Sequence, residues 1–167
     1  MTGATTSPAH RILNRSYGTS GAGAAAGLVD PGHRRIVHLT EFPTDGLARE
    51  LRIQGFEKVL REAGVTEARV HRLATESRTA PSDVAERAAL EILSGPEPPT
   101  AILAFTDLFA VGVYRAARQL GVRIPEDLSV VGIDNADMAE FVDLTTVAQD
   151  VGAQGRAAAR MLRQLLG

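Results

Sequence analysis

Apolar and polar positions divide the chain into short apolar runs separated by longer segments with helical spacing. The clearest unit lies between residues 99 and 135. Ala101–Phe105 and Leu128–Ile133 are short apolar runs, which are typical of strands buried on both faces. Between them, Leu108–Leu120 has the spacing of a helix, and Gly121 is a typical stop residue. Two buried strands joined by a helix predict a right-handed crossover in an open parallel sheet.

The same alternation extends over most of the chain. Further strands are predicted at Arg35–Thr40, Ala68–Leu73 and Leu144–Ala148, and further helices at about Ala22–Val29, Leu47–Ala63, Pro81–Ser94 and Gly152–Leu166. Alternating strands and helices with short loops predict the α/β class, with a doubly wound, mostly parallel sheet. The first residues show no usable period, so residues 1–17 are expected to form a disordered tail.

Composition allows one domain with an ordinary core. The chain has 167 residues, of which 44% are apolar, and its formal net charge is −2. This charge gives no basic field for nucleic acid, and the absence of cysteine excludes disulfides and thiolate metal sites. No apolar run approaches the roughly 20 residues of a membrane span, and the N-terminus lacks a signal-peptide core. A cytoplasmic protein without membrane contact is therefore expected.

Motifs for catalysis or cofactor binding are weak. Gly18–Gly27 followed by Glu41 has the outline of a dinucleotide fingerprint, which leaves a nucleotide-dependent enzyme as an alternative. The segment before these glycines is a poor strand, however, and small residues in a tightly packed helix explain the run more simply. The histidines have no metal-ligand spacing, and no G-x-S-x-G elbow is present. We therefore predict no metal, no cofactor and no enzymatic activity.

Polar side chains at the ends of the central strands are better candidates for function, because ligands of open α/β sheets bind beyond the carboxyl ends of the strands. These candidates are Arg52, Thr106, Asp107, Asp134 and Gln149. A carboxylate accepts two hydroxyls at once and a guanidinium donates in a fixed fork, which suits a sugar or a nucleoside. Helix capping is the favoured role for Asp107, whereas ligand binding is favoured for Asp134 and Arg52.

The predicted helix after residue 107 is apolar almost all round in its first half. One face must cover the sheet, so the second apolar face indicates burial against another helix or a second subunit. A dimer interface is therefore predicted at Phe109, Val111, Val113 and Tyr114.

The segment from residue 99 to 135 resembles the effector-sensing domain of the LacI/GalR family of transcription regulators. Gly32–Ile36 is similar to that family's Gly-His-Arg-Arg-Ile strand entrance, and Arg52–Phe56 to its Arg-x-x-Gly-Phe helix. Leu144–Gln149 is similar to its Leu-Thr-Thr-Val-x-Gln return strand. The order and spacing of these patches hold from about Gly18 to the C-terminus.

This resemblance implies a periplasmic-binding-protein-like lobe that holds a small, sugar-like effector in a cleft. By analogy, Arg52, Asp134 and Gln149 are cleft residues, and Asp134 grips ligand hydroxyls. The family usually has Asn at the position of Thr106, which leaves the effector's identity open. The resemblance also implies a homodimer formed partly through the helix that follows residue 107.

The resemblance further predicts a truncated regulator. Nothing in the sequence resembles the family's helix-turn-helix, so DNA contact would need a domain that this sequence lacks. Residues 18–149 are expected to form the effector-binding lobe, and residues 150–167 a terminal helix that packs on a missing second lobe. An extracytoplasmic sugar-binding protein of transport, related by fold, is a further alternative.

Overall fold

A computed structural model of the chain describes residues 12–15, 17–29, 32–42, 47–74 and 79–166. The strands are β1 (Ile12–Arg15), β2 (Ile36–Phe42), β3 (Arg69–Ala74), β4 (Ala101–Ala104), β5 (Ser129–Asp134) and β6 (Thr145–Gln149). The helices are α1 (Tyr17–Val29), α2 (Leu47–Glu62), α3 (Pro81–Leu93), α4 (Asp107–Leu120), the single turn α5 (Met138–Phe141) and α6 (Val151–Leu166). The described strands form one parallel sheet in the order β1-β6-β5-β4-β2-β3. The predicted α/β class is thereby confirmed.

Helices cover both faces of the sheet and create two apolar cores. Helices α1 and α2 bury Leu28 and Phe56 against Ile36 and its neighbours on one face. On the other face, α3 and α4 pack on the alternate side chains of the same strands, such as Val37 in β2. Because successive strand residues point to opposite faces, one strand supplies both cores. Helix α6 contributes no buried residue to either core.

The order of the strands reverses between β2 and β4. The chain leaves β2 towards the edge strand β3, and it leaves β4 in the other direction, towards β5 and β6. The helices that follow β2 and β4 therefore lie on opposite faces of the sheet, and a crevice opens at the carboxyl ends of these two neighbouring strands. Such reversal points are where open α/β sheets bind ligands.

The second apolar face of α4 is covered by α3. Phe109 and Val113 are fully buried in the core that α4 shares with α3 and the sheet, so the predicted assignment of these two residues to a dimer interface is wrong. Helix α3 crosses α4 so closely that a Cβ added at Gly112 would lie 2.3 Å from the carbonyl oxygen of Ser82. The sequence showed that the face is apolar, but it did not show which element covers it.

The chain contributes a strand earlier than predicted. Ile12–Arg15 pairs with β6 along one edge of the sheet, and α1 begins at Tyr17 rather than near Ala22. The prediction of a disordered tail is therefore wrong for residues 12–15 and for Tyr17, the first residue of α1. The other residues of the predicted tail, 1–11 and 16, lie outside the described residues. In the described part of the chain, the helices are too short or too polar to cross a membrane.

Gly112→Ala is expected to lower the free energy of unfolding by about 2–3 kcal/mol, because the added methyl group forces α3 away from α4. Thermal and urea denaturation followed by circular dichroism measures this loss. Gly155→Ala is the matched control, since a Cβ at this position in α6 meets nothing within 4 Å. That control is expected to keep or slightly raise stability, as alanine favours a helix over glycine. Equal stability of the two variants would contradict the close crossing.

Candidate functional site

Three neighbouring strands end side by side at the carboxyl edge of the sheet. Strand β4 leads into Phe105 and Thr106, β5 ends at Asp134, and β6 ends at Gln149. Helix α2 brings Arg52 to the same edge from the face that it covers. The residues predicted from the sequence therefore lie together, next to the reversal between β2 and β4.

Arg52 is the buried cation of this cluster, with 4% of its surface exposed. Its Nη1 donates to the carbonyl oxygen of Phe105 at 2.9 Å, and its Nη2 lies 3.6 Å from Oδ1 of Asp134. The guanidinium carbon lies 4.6 Å from the centre of the Phe105 ring. A buried cation is costly unless hydrogen bonds, an opposite charge or an aromatic face compensate it, and this site supplies all three.

Asp134 is the carboxylate that faces the crevice. Gln149 donates through Nε2 to its Oδ1, the same oxygen that Arg52 approaches. Burial raises the pKa of Asp134 above its ordinary value, and the nearby carboxylate of Asp107 adds to this rise, whereas Arg52 and Gln149 oppose it. With 36% of its side chain exposed, Asp134 remains accessible to a ligand.

The backbone at the end of β5 turns sharply. Asp134 has φ of 126° and Asn135 has φ of 58°, backbone conformations that residues with a side chain adopt infrequently. Such conformations cost up to about 1–3 kcal/mol each. The amide of Asn135 donates to Oγ1 of Thr146 at 3.2 Å, which fixes the turn. Such strain in a crevice is typical of a binding site. It is compensated here by the hydrogen bonds that lie beneath the turn.

Asp107 does not cap α4; it is buried behind the site and stabilises it through hydrogen bonds. The cap is Thr106, whose Oγ1 accepts from the amide of Phe109 at 3.3 Å. Asp107 is fully buried; its Oδ1 accepts from the hydroxyl of Thr146 at 2.6 Å, and its Oδ2 from the amide of Ala136 at 2.7 Å. The predicted capping role of Asp107 is therefore wrong, and in this structure its carboxylate is out of reach of a ligand.

Gly132 makes room for this carboxylate. A Cβ at Gly132 in β5 would lie 2.2 Å from Oδ1 of Asp107, so any larger residue would displace the acid. The buried acid therefore joins the start of α4, the turn after β5 and the middle of β6 into one unit. Sequence reasoning missed Thr146 as a member of this unit, although a buried hydroxyl beside the apolar Val147 was the available signal.

The remaining predicted residues fall elsewhere. Val111 and Tyr114 are half-buried and line a surface cavity of about 380 Å³ on the outer side of α4, together with Val142 and neighbouring residues. Burial, reinforced by the carboxylate of Asp143, raises the pKa of Tyr114 to about 12. The glycines of the supposed dinucleotide fingerprint lie inside helix α1, where Gly21 and Gly23 are buried. This helical packing gives the nucleotide alternative no geometric support.

A model of the periplasmic binding protein-like domain matches residues 25–167, and the chain belongs to that family. The chain is 36% identical over 162 residues to the HTH-type transcriptional repressor PurR of Vibrio vulnificus, covering 96% of this chain and 47% of that repressor. It therefore spans about half the length of this relative.

Solved structures of LacI-family regulators share the fold. A LacI family transcriptional regulator from Enterococcus faecium with bound ribose superposes with a TM-score of 0.75 at 26% identity, covering 92% of this chain and 56% of that one. A LacI family regulator from an Arthrobacter species in complex with lactose gives a TM-score of 0.73 at 27% identity, covering 95% and 57%. The resemblance seen in the sequence is thus confirmed, and the match covers the effector-binding domain of these regulators.

Asp107→Asn is expected to cost about 1–3 kcal/mol of unfolding free energy, because an amide cannot accept both hydrogen bonds that the carboxylate now accepts. Urea denaturation measures the loss. Asp137→Asn, at an exposed position next to Ala136, is the control and is expected to leave stability unchanged. If the two variants had equal midpoints, Asp107 would not brace the site.

Proposed function

We propose that this chain forms the lobe of a LacI-type effector-binding domain that grips a small polyhydroxylated effector, such as a sugar, through Asp134. The observation that carries this proposal is the arrangement of Arg52, Asp134 and Gln149 at the strand reversal. Both described contacts to Asp134 use Oδ1. Within the described part of the chain, the accepting capacity of its Oδ2 is therefore intact, which suits the hydroxyls of a ligand.

The bound sugars of the structural relatives support this ligand class. Those relatives hold ribose and lactose, respectively. Both molecules carry several neighbouring hydroxyls, and a carboxylate flanked by hydrogen-bond donors recognises such groups. The half-buried hydroxyl of Thr106 accepts from the amide of Phe109 at the helix start. Its own O–H can therefore still donate to an oxygen atom of an effector.

The second side of the cleft would come from a second lobe. Ligand sites of this kind bury most of the ligand surface, and one sheet edge contacts only one side of it. Helix α6 fits a role at such a junction, because it is long, has no buried residue, and exposes Met161, Leu162 and Leu165. These residues form an apolar stripe that a second lobe would cover. We assign residues 18–149 to the effector lobe and residues 150–167 to this junction.

The whole regulator would act in the cytoplasm, where DNA is accessible, and DNA contact would belong to a helix-turn-helix outside this sequence. Homologues of the chain are transcriptional repressors rather than enzymes. A metal ion or an organic cofactor has no part in the proposed binding chemistry.

Titration of the 167-residue chain with ribose and with lactose, followed by two-dimensional ¹⁵N NMR, tests the ligand class. Weak saturable binding is expected, with a Kd of about 1 mM or above, because one lobe contacts half of the ligand. The largest shifts should lie at Asp134, Asn135 and Gln149. Asp134→Asn should weaken binding about tenfold, and Asp137→Asn should leave it unchanged. Saturable shifts confined to the opposite end of the strands, or none with either sugar, would contradict the proposal.

We further propose that the chain dimerises through the outer side of α4 and the adjoining turn α5. Phe141 in α5 is 87% exposed, and the apolar cavity lined by Val111, Tyr114 and Val142 lies on α4. An exposed aromatic side chain and an apolar cavity on one surface suit a symmetric contact between two copies.

Sedimentation of the chain at increasing concentrations tests this surface. A monomer–dimer equilibrium is expected, and Phe141→Ser should shift it towards the monomer at least fivefold in the dissociation constant. Leu47→Ser is the control, because Leu47 is similarly exposed (75%) but lies on α2. A pure monomer up to about 0.1 mM, or equal effects of both substitutions, would exclude this interface.

A further inference from the structure

His38 is a buried polar residue that the proposed binding chemistry does not use. It lies in the middle of β2 with no exposed surface, and its ring centre lies 5.0 Å from that of Phe56 in a tilted contact. Neither ring nitrogen has a hydrogen-bond partner in the described part of the chain, and the same holds for the buried hydroxyl of Thr40. Because buried polar groups are normally paired, these two exceptions need an explanation.

The surroundings of His38 keep its ring neutral. Burial lowers the pKa of His38 to about 3, and the charges of Arg52 on α2 and Arg72 on β3 contribute to this decrease. On the other side, β4 places the apolar Leu103 in register with His38. A proton on this ring would add a third positive charge beside two arginines, so near neutral pH His38 is uncharged.

The contact with Phe56 links His38 to the candidate site. Phe56 follows Arg52 by four residues in α2, so the two side chains lie on the same side of that helix, one turn apart. Phe56 is 1% exposed and Arg52 is 4% exposed, and both therefore point towards the sheet. The packing of Phe56 against β2 therefore also sets the distance between the sheet and the turn of α2 that carries Arg52.

We propose that His38 is a positioning residue for Arg52. Its ring holds Phe56 and thereby the turn of α2, and, being uncharged, it allows the guanidinium to stay buried between Phe105 and Asp134. A smaller side chain would loosen this turn, and a charged one would repel Arg52. The inference deepens the proposed function, since it concerns how the effector site is held in shape. Its test measures the Arg52–Asp134 contact and needs no effector.

The pKa of the Asp134 carboxyl, measured by ¹³C NMR titration of the whole chain, reports the position of Arg52. Arg52 holds this pKa down against the effect of burial, so His38→Ala is expected to raise it by about one unit. His38→Phe keeps an uncharged ring against Phe56 and should restore the original value. Ile36→Ala is the control, because Ile36 is fully buried on the same face of β2 and its loss creates a similar cavity.

A purely structural role for His38 predicts a different result: both alanine variants would be less stable, and the pKa of Asp134 would be the same in both. That result would overturn the proposal. The charge of Arg52 contributes to the lowered pKa of His38, so Arg52→Met should raise this pKa from about 3 while burial still holds it below its ordinary value. If His38→Ala does not fold, this second titration decides, and an unchanged pKa of His38 would overturn the proposal.

Discussion

The site depends on keeping a charged guanidinium buried at the point where the strand order reverses. Arg52 lies almost entirely out of water, yet it reaches a carbonyl after β4, an aromatic face and a carboxylate at the end of β5. Removing any of these partners would leave a charge in a poorly solvated place, which is strongly unfavourable. The need to satisfy this cation therefore fixes the relative positions of α2, β4 and β5.

A second set of residues lies behind those that face the crevice and has no contact with the crevice itself. Asp107 joins the start of α4 to Thr146 in β6 and to the turn after β5, and Gly132 leaves space for it. This buried unit holds the unfavourable backbone of Asp134 in place, so the exposed carboxylate is presented in a defined direction. Binding sites gain affinity when their geometry is set before the ligand arrives.

Local signals predicted the elements well but not their partners. The strand–helix–strand unit around α4 was predicted within a residue or two, because an apolar run, a polar helix start and the left-handed Gly121 mark its boundaries within a few positions. The candidate residues Asp134 and Gln149 also met at one edge, because parallel strands end together. Arg52 reaches the same edge from helix α2.

Properties that depend on contacts between distant residues could not be predicted from the sequence. An aspartate at a helix start is equally suited to capping and to burial. For Asp107, the distant partners Ala136 and Thr146 decide between the two. Helix α3 covers the second apolar face of α4. The spacing of apolar residues within α4 does not show which element covers that face. The edge strand β1 is short and has no apolar alternation, so only its pairing with β6 defines it.

A double-mutant cycle on the free energy of unfolding tests most directly whether Arg52 and Asp134 organise the site together. Arg52→Met, Asp134→Asn and the double variant would be compared with the original chain by urea denaturation at low salt. The account predicts a favourable coupling of about 0.5–1 kcal/mol, the range for a pair with one partly exposed member. Additive effects of the two substitutions would contradict it.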